Sequence, residues 1–429
     1  MRLTVSFSTL NVFLLGLLLS VYGSPLLAQS DTSYTSVPHQ PVQLDAANPF
    51  PLFDDSFYKN QLFLLGESHG VQTPQTVDFA LLKHLNQRVG LRHYLAEVDA
   101  SQARLLNQYL QTGDTTLLNR VFSRWVKQKA QWGNADFYRK IQRIRALNQT
   151  LPNRRRIRFV GIDRIQDNPL AADHLSSLLV TTRLPEADRR VVDTLLVQLR
   201  SSRPDSVVGA TALPLLNRFK TDSATYQRLL KSTYTETRQL LTNISWLKTI
   251  PSREATLFAN FAEVLPGLNG EKLYGLWGFF HVLQEKPVNS GKPLACRIRE
   301  STLYLHDKVI SIVFSYLDSF TMLPSSYLPV SMRAPGQRFS PVSMFNNDGA
   351  MMKTEGINVM RALSQPRSVT LFALDRPGSF ARTTPLRIHY SSAMPANQRI
   401  EFNPSLPMTA YFQYVMLVRD SPMTEPLAN

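Results

Sequence analysis

The segment Gly66-Glu67-Ser68-His69-Gly70 places a carboxylic acid, a hydroxyl and an imidazole side by side. A neutral imidazole can take a proton from water near pH 7, and an adjacent carboxylate stabilises the imidazolium that forms. The same five residues fit Gly-x-Ser-x-Gly, the sharp turn that presents the nucleophile of α/β-hydrolases, in which Ser68 rather than His69 would do the chemistry. The two glycines let the backbone turn and leave little bulk, so a substrate can approach closely. Ionisable residues recur at the ends of other apolar runs: Glu97 after Tyr94-Leu95-Ala96, Asp163 after Gly161-Ile162, and His281 after Leu276-Trp277-Gly278-Phe279-Phe280. Arg253, ahead of the last run, adds a permanent positive charge. Glu67, His69, Glu97 and His281 are suitable oxygen and nitrogen donors for zinc or manganese. No His-Glu-x-x-His or comparable local spacing accompanies them, so no metal is expected.

These residues need elements that bring them together. Residues 62–66 form a short apolar run that reads as a buried strand, and 76–88 carries Val77, Leu81, Leu82 and Leu85 at helical spacing. Strands are expected at 92–98, 157–162 and 273–277, with helices at about 101–111, 115–128, 135–149 and 252–265 between them. Further apolar segments follow at 308–316, 369–374 and 411–418. Alternating strands and helices imply an α/β fold, a mainly parallel central sheet with flanking helices. The carboxyl ends of parallel strands share one edge, where residues far apart in sequence can converge. Residues 29–60, with Pro38, Pro41, Pro49 and Pro51, read as a lead-in segment, 61–420 as the α/β domain, and about 170–250 as a helical insertion within it.

The first 28 residues have the form of an export signal: Arg2, an apolar core from about Phe13 to Leu19, and a small-residue cleavage site ending at Ala28. A secreted or periplasmic location is expected, without stable membrane insertion after cleavage. The single cysteine, Cys296, excludes an intrachain disulfide and leaves no thiol at the cleavage site for a lipid. The formal charge of +15 favours anionic surfaces or substrates. The one dense basic run, Arg154-Arg155-Arg156-Ile157-Arg158, leads into an apolar strand and reads as a solvated face, so nucleic acid is not an expected partner.

The Leu-Gly-Glu-Ser-His-Gly segment, Tyr94–Glu97 with Leu106–Asp114, Gly161-Ile162-Asp163, Arg253-Glu254 with Ala259-Asn260, and His281-Val282 together resemble the erythromycin esterase family in order and spacing. That family usually has two residues between its first Glu and His. The single Ser68 here resembles instead the ChaN-like haem-binding and Tiki-type proteins of the same wider superfamily. The resemblance implies that His69 is the general base that deprotonates a water, with Glu67 or Glu97 orienting it. It makes His281 a stabiliser of the oxyanion or a proton donor to the leaving group, and Arg253 a charge for a carboxylate or oxyanion. Asp163 supports them on the substrate-binding side. The expected activity is cofactor-independent hydrolysis of a small-molecule ester or lactone. Two alternatives remain. A serine hydrolase would use Ser68, Asp163 and His281, although the lead-in supplies no preceding strands and Val71-Gln72-Thr73-Pro74 delays the next helix. A haem-binding protein would use a histidine or tyrosine as axial ligand.

Overall fold

The computed structural model describes residues 35–179, 184–249 and 252–427; the expected export signal lies outside them. Eight strands form the central sheet: β1 (His39–Pro41), β2 (Leu62–Glu67), β3 (His93–Asp99), β4 (Arg158–Asp163), β5 (Leu273–Gly278), β6 (Val309–Leu317), β7 (Val369–Ala373) and β8 (Tyr414–Arg419). Their order is β1-β7-β8-β6-β2-β5-β3-β4. From β8 to β4 every neighbouring pair is parallel, and only the contacts of β7 with β8 and with β1 are antiparallel. The mainly parallel α/β sheet expected from the sequence is therefore what the chain forms.

Side-chain alternation explains why these runs are strands covered on both faces. In β2, Phe63 and Leu65 enter one core while Leu62 and Leu64 enter the other, all completely buried. In β5, Tyr274 and Leu276 share the first core, and Leu273 and Trp277 the second. Each such side chain contributes roughly 1.5–3 kcal/mol by leaving water. Helices α1 (Thr73–Val89), α2 (Ala100–Thr112), α3 (Thr115–Lys127) and α4 (Ala135–Thr150) supply apolar side chains to the first core. Helix α10 (Arg253–Val264) supplies them to the second. Between β4 and α10 come α5 (Asn168–Leu179), α6 (Glu186–Arg200), α7 (Asp205–Thr221), α8 (Ser223–Leu230) and α9 (Tyr234–Thr249), which bury a separate apolar cluster among themselves.

The lead-in segment is tied into the sheet and the core. His39–Pro41 pairs with β7 as the sheet's last strand, and Phe50, Phe53 and Phe57 are buried in the first core. Long-range pairing and aromatic burial organise a segment with no local period. The carboxyl-terminal residues close over the loop after β2. Thr424 and Met322 both donate their backbone N–H to the Gly70 carbonyl, and Gln72 donates to the Pro422 carbonyl.

Candidate active site

Four neighbouring strands, β2, β5, β3 and β4, end on one edge and contribute Glu67, Gly278, Glu97 and Asp163 in that order. Glu67 closes β2, and His69 lies in the loop before α1. The His69 Nδ1 is 3.1 Å from Glu67 Oε1, with the carboxylate buried and the imidazole partly open. Burial pushes the Glu67 carboxyl up in pKa, which its hydrogen bond with His69 only partly offsets. Burial alone would lower the His69 pKa, but the bond to Glu67 and the charges of Glu97 and Glu67 outweigh it and hold the imidazole above its ordinary value. With Nδ1 facing Glu67, Nε2 has no protein partner among the described residues and is the atom left for a substrate or a water.

The two glycines of the motif act differently. Gly66 is inside β2, and a Cβ there would lie 2.5 Å from Val282 Cγ2, so its role is close packing against the segment that carries His281. Gly70 makes the turn, with φ of 90° and no room for a side chain beside Met322. The Gln131 carboxamide donates to the carbonyls of His69 and Met322 at 3.0 and 2.7 Å, tying down the same loop. Next to it, Trp132 meets the His69 ring edge-on at 5.4 Å and is 38% exposed, which makes it an aromatic wall. Trp125 lies elsewhere, buried in the first core.

The far side of the site is an ion network. Glu97 occupies an irregularity in the pairing of β3 with β4, where the register shifts between Ala96 and Asp99. Such a bulge re-aims a side chain. Here Glu97 Oε2 accepts from the Gly278 N–H at 2.8 Å and Oε1 from Arg253 Nη2 at 2.7 Å. Arg253, in the first turn of α10, also donates to both Asp163 oxygens, at 3.1 and 2.6 Å. Asp163 is completely buried, so its carboxylate positions Arg253. His281 Nδ1 lies 2.7 Å from Glu254 Oε1, and Nε2 lies 3.5 Å from Glu97 Oε1 and 3.1 Å from Arg253 Nη1. Burial works against a charge on this ring, yet Glu97 and Glu254 prevail and raise its pKa to about 9. Burial likewise opposes the Glu97 charge, but His281 and Arg253 hold that carboxyl well below its usual range. At neutral pH, Glu97 thus binds two cations together.

A pH dependence of stability follows. The folded pKa of His281 is above its unfolded value, so the stabilisation is complete below about pH 6.5 and is lost as pH rises through about 9. The unfolding free energy from urea titration should fall by about 3 kcal/mol across that window, and His281→Gln should flatten the slope. An equal slope in both proteins would contradict a charged His281.

Both imidazoles converge above Gly278. A Cβ on this residue would lie 3.3 Å from His69 Nε2 and 3.5 Å from His281 Cδ2. Its φ of −55° suits any residue, so the backbone does not require glycine. The close approach of His69 does. Gly278→Ala should therefore keep the fold, shifting the thermal midpoint by no more than about 2–4 °C. The added methyl would crowd the Nε2 face and should lower any turnover that uses it by about 10- to 100-fold. Wild-type turnover in this variant would show that the face is not used.

The six residues singled out in the sequence fall into two groups that meet at Gly278: the Glu67–His69 pair, and the network of Glu97, Asp163, Arg253 and His281. Ser68 is exposed, and its hydroxyl has no histidine within hydrogen-bonding distance among the described residues; only its N–H is held, by the Tyr316 hydroxyl at 3.0 Å. Among the described residues, Glu67, His69, Glu97 and His281 do not supply three ligand atoms within 4.8 Å of one another. The one set of three ligand atoms within 4.8 Å of one another among the described residues is elsewhere, at Glu285, Cys296 and Glu300. Burial pushes the Cys296 thiol up to about 12, so it is no ready thiolate.

Sequence reasoning missed the layer beneath the dyad. Glu67 Oε2 accepts from Gln75 Nε2 at 3.1 Å, Gln75 Oε1 accepts from Lys140 Nζ at 2.8 Å, and Lys140 pairs with Asp78 at 2.5 Å. The Tyr94 hydroxyl donates to the same Asp78 Oδ2 as Lys140, at 2.7 Å, and the Tyr274 hydroxyl donates to Oδ1 at 2.6 Å. The available signal was placement. Asp78 lies on the apolar stripe of α1 with Leu81, Leu82 and Leu85, and Lys140 on that of α4 with Ile144.

Among solved structures, the chain is similar to a Bacillus cereus protein of structural-genomics origin, with TM-score 0.68 and 12% identity over 91% of this chain and 96% of that one. It is also similar to the erythromycin esterase EreC in its open conformation, with TM-score 0.65 and 14% identity over 91% of this chain and all of that one. A succinoglycan biosynthesis protein gives TM-score 0.65 and 14% identity over 95% of this chain and 100% of that one. No family model matches the sequence, and no curated protein does. At these identities the shared property is the fold, which is the one the sequence resemblance implied.

Proposed function

We propose that this chain, built on the fold it shares with erythromycin esterase, is an exported hydrolase that cleaves an ester or lactone with a water activated by His69. The observation that carries this reading is the His69 imidazole, with Nδ1 held by buried Glu67 and Nε2 free above Gly278. In that arrangement Nε2 takes the proton of an attacking water, and Glu67 stabilises the imidazolium formed. His281 presents only Cδ2 to the same space, since both its nitrogens face Glu97, Arg253 and Glu254. Its part is therefore to hold charge rather than to pass a proton. Arg253 is a third exposed while anchored by Asp163 and Glu97, and its solvent edge suits a developing oxyanion. Trp132 gives an apolar portion of the substrate a surface to lie on. The exposed Ser68 without a base argues against the covalent alternative.

The test is hydrolysis of a panel of activated esters and macrolactones by the mature chain, with and without chelator, across pH. Turnover should rise through neutral pH as His69 loses its proton, with an apparent pKa above 6.5, and chelator should leave it unchanged. No hydrolysis of any panel member, with a Soret band appearing on haem addition, would move the chain to the haem-binding alternative.

A further inference from the structure

At the opposite edge of the sheet, where the strands begin, lies a cleft of about 610 Å³ between α2, α4 and the start of β4. Its lining includes Arg92, Arg145, Arg156 and Arg158 with the carboxamides of Gln111 and Gln149. An adjoining hollow of about 430 Å³ shares Arg92 and adds Arg154 and Lys272. Arg154, Arg156 and Arg158 of the basic run are exposed, as a solvated face requires, and they also line these hollows.

Most of its charge is uncompensated among the described residues. Arg92 is paired with Glu271, the one acid lining the two hollows. Among the described residues, Arg145, Arg154, Arg156 and Arg158 have no acid within ion-pair distance. Arg158 Nε instead contacts His93 Nδ1 at 3.0 Å, and burial lowers the His93 pKa to about 4, leaving that ring neutral. The Arg145 Nε is buried with no hydrogen-bond partner, an expensive condition for a charged donor. The walls are fixed in advance. Asn107 clamps the Phe159 backbone at 2.9 and 2.8 Å, and Asn148 clamps that of Ile157 at 2.8 and 2.7 Å. Both amides close the open edge of β4 and hold the backbone of the cleft without a ligand, so the ordering left for binding is that of the arginine side chains.

We propose that this cleft binds a multiply charged oxyanion of the phosphate-ester type, independently of the hydrolytic site. A single carboxylate would leave most of the positive charge unanswered, whereas guanidinium forks match the oxygens of phosphate groups in pairs. The neighbouring carboxamides suit the hydroxyls of the carrier molecule.

Calorimetric titration of the full mature chain with pyrophosphate in 0.1 M salt, about the ionic strength at which exposed charges are well screened, tests this. Saturable binding at one site per chain is expected. It should weaken about tenfold or more in Arg145→Gln/Arg156→Glu, which breaks no ion pair. It should change less than about twofold in His69→Ala and in Lys286→Glu, outside the cleft. Sedimentation with phosphatidylglycerol vesicles separates a lipid headgroup from a soluble ester. Vesicle binding without pyrophosphate binding, non-saturating titration, or equal weakening by Lys286→Glu would each overturn the proposal. A cleft variant that retains the wild-type thermal midpoint but binds pyrophosphate normally would do the same.

Discussion

Replacing His69 with alanine should lower the hydrolytic rate by about 10²–10⁴-fold, the range carried by a positioned general base. The fold should survive, because the ring is a quarter exposed and its one hydrogen-bond partner among the described residues is Glu67. Ser68→Ala should stay within a few-fold of wild type, since the hydroxyl touches no base. Comparing the two variants on the best substrate of the panel, with circular dichroism to verify folding, separates water activation from a covalent serine route. A large loss in Ser68→Ala with little in His69→Ala would reverse the assignment. Glu67→Gln belongs in the same series. It keeps the shape but loses the charge that raises the imidazole, so the ascending limb of the pH profile should move toward lower pH as the maximal rate drops.

The second large effect is on stability. Lys140→Met should cost about 3–5 kcal/mol, because it removes the only counter-charge paired with the buried Asp78 carboxylate among the described residues and leaves it to the two tyrosine hydroxyls. Lys140 is 3% exposed and Asp78 not at all. Their pair also orients Gln75 beneath Glu67, so the loss extends into the site through a chain of hydrogen bonds. Urea denaturation at pH 7 gives the magnitude. The double variant Lys140→Met/Asp78→Leu removes both charges and should lose less than the two single changes added together, since contacting residues are not independent. Additive losses would mean that the pair is not coupled and that the polar layer is merely tolerated.

How much of this was legible in the sequence depends on the range of the forces involved. The apolar run 62–66 gave itself away because a strand covered on both faces needs apolar residues at every position, and the observed β2 ends one residue later, at Glu67. Helix α1 begins at Thr73, three residues before the expected start, because Pro74 is well suited to a first turn even though the periodic stripe starts later. The lead-in shows where local pattern gives out. Its pairing partner lies more than three hundred residues away, and nothing in its own pattern could reveal a strand.

The candidate site divides in the same way. Residue types at strand ends and the α/β alternation were enough to single out Glu67, His69, Glu97, Asp163, Arg253 and His281, because a parallel sheet brings strand ends to one edge. What each side chain faces was decided only in three dimensions. A bulge turns Glu97 toward Arg253 and Gly278, both His281 nitrogens face charged neighbours, and Gly278 sets the gap between the imidazoles. Gln75, Asp78 and Lys140 became a network only when α1 packed on α4 and drove the charges out of water together. Hydrophobic period acts along the chain and can be read from it. Hydrogen-bond partners and shared electrostatic fields act across space, so the folded structure alone determines which residues they join.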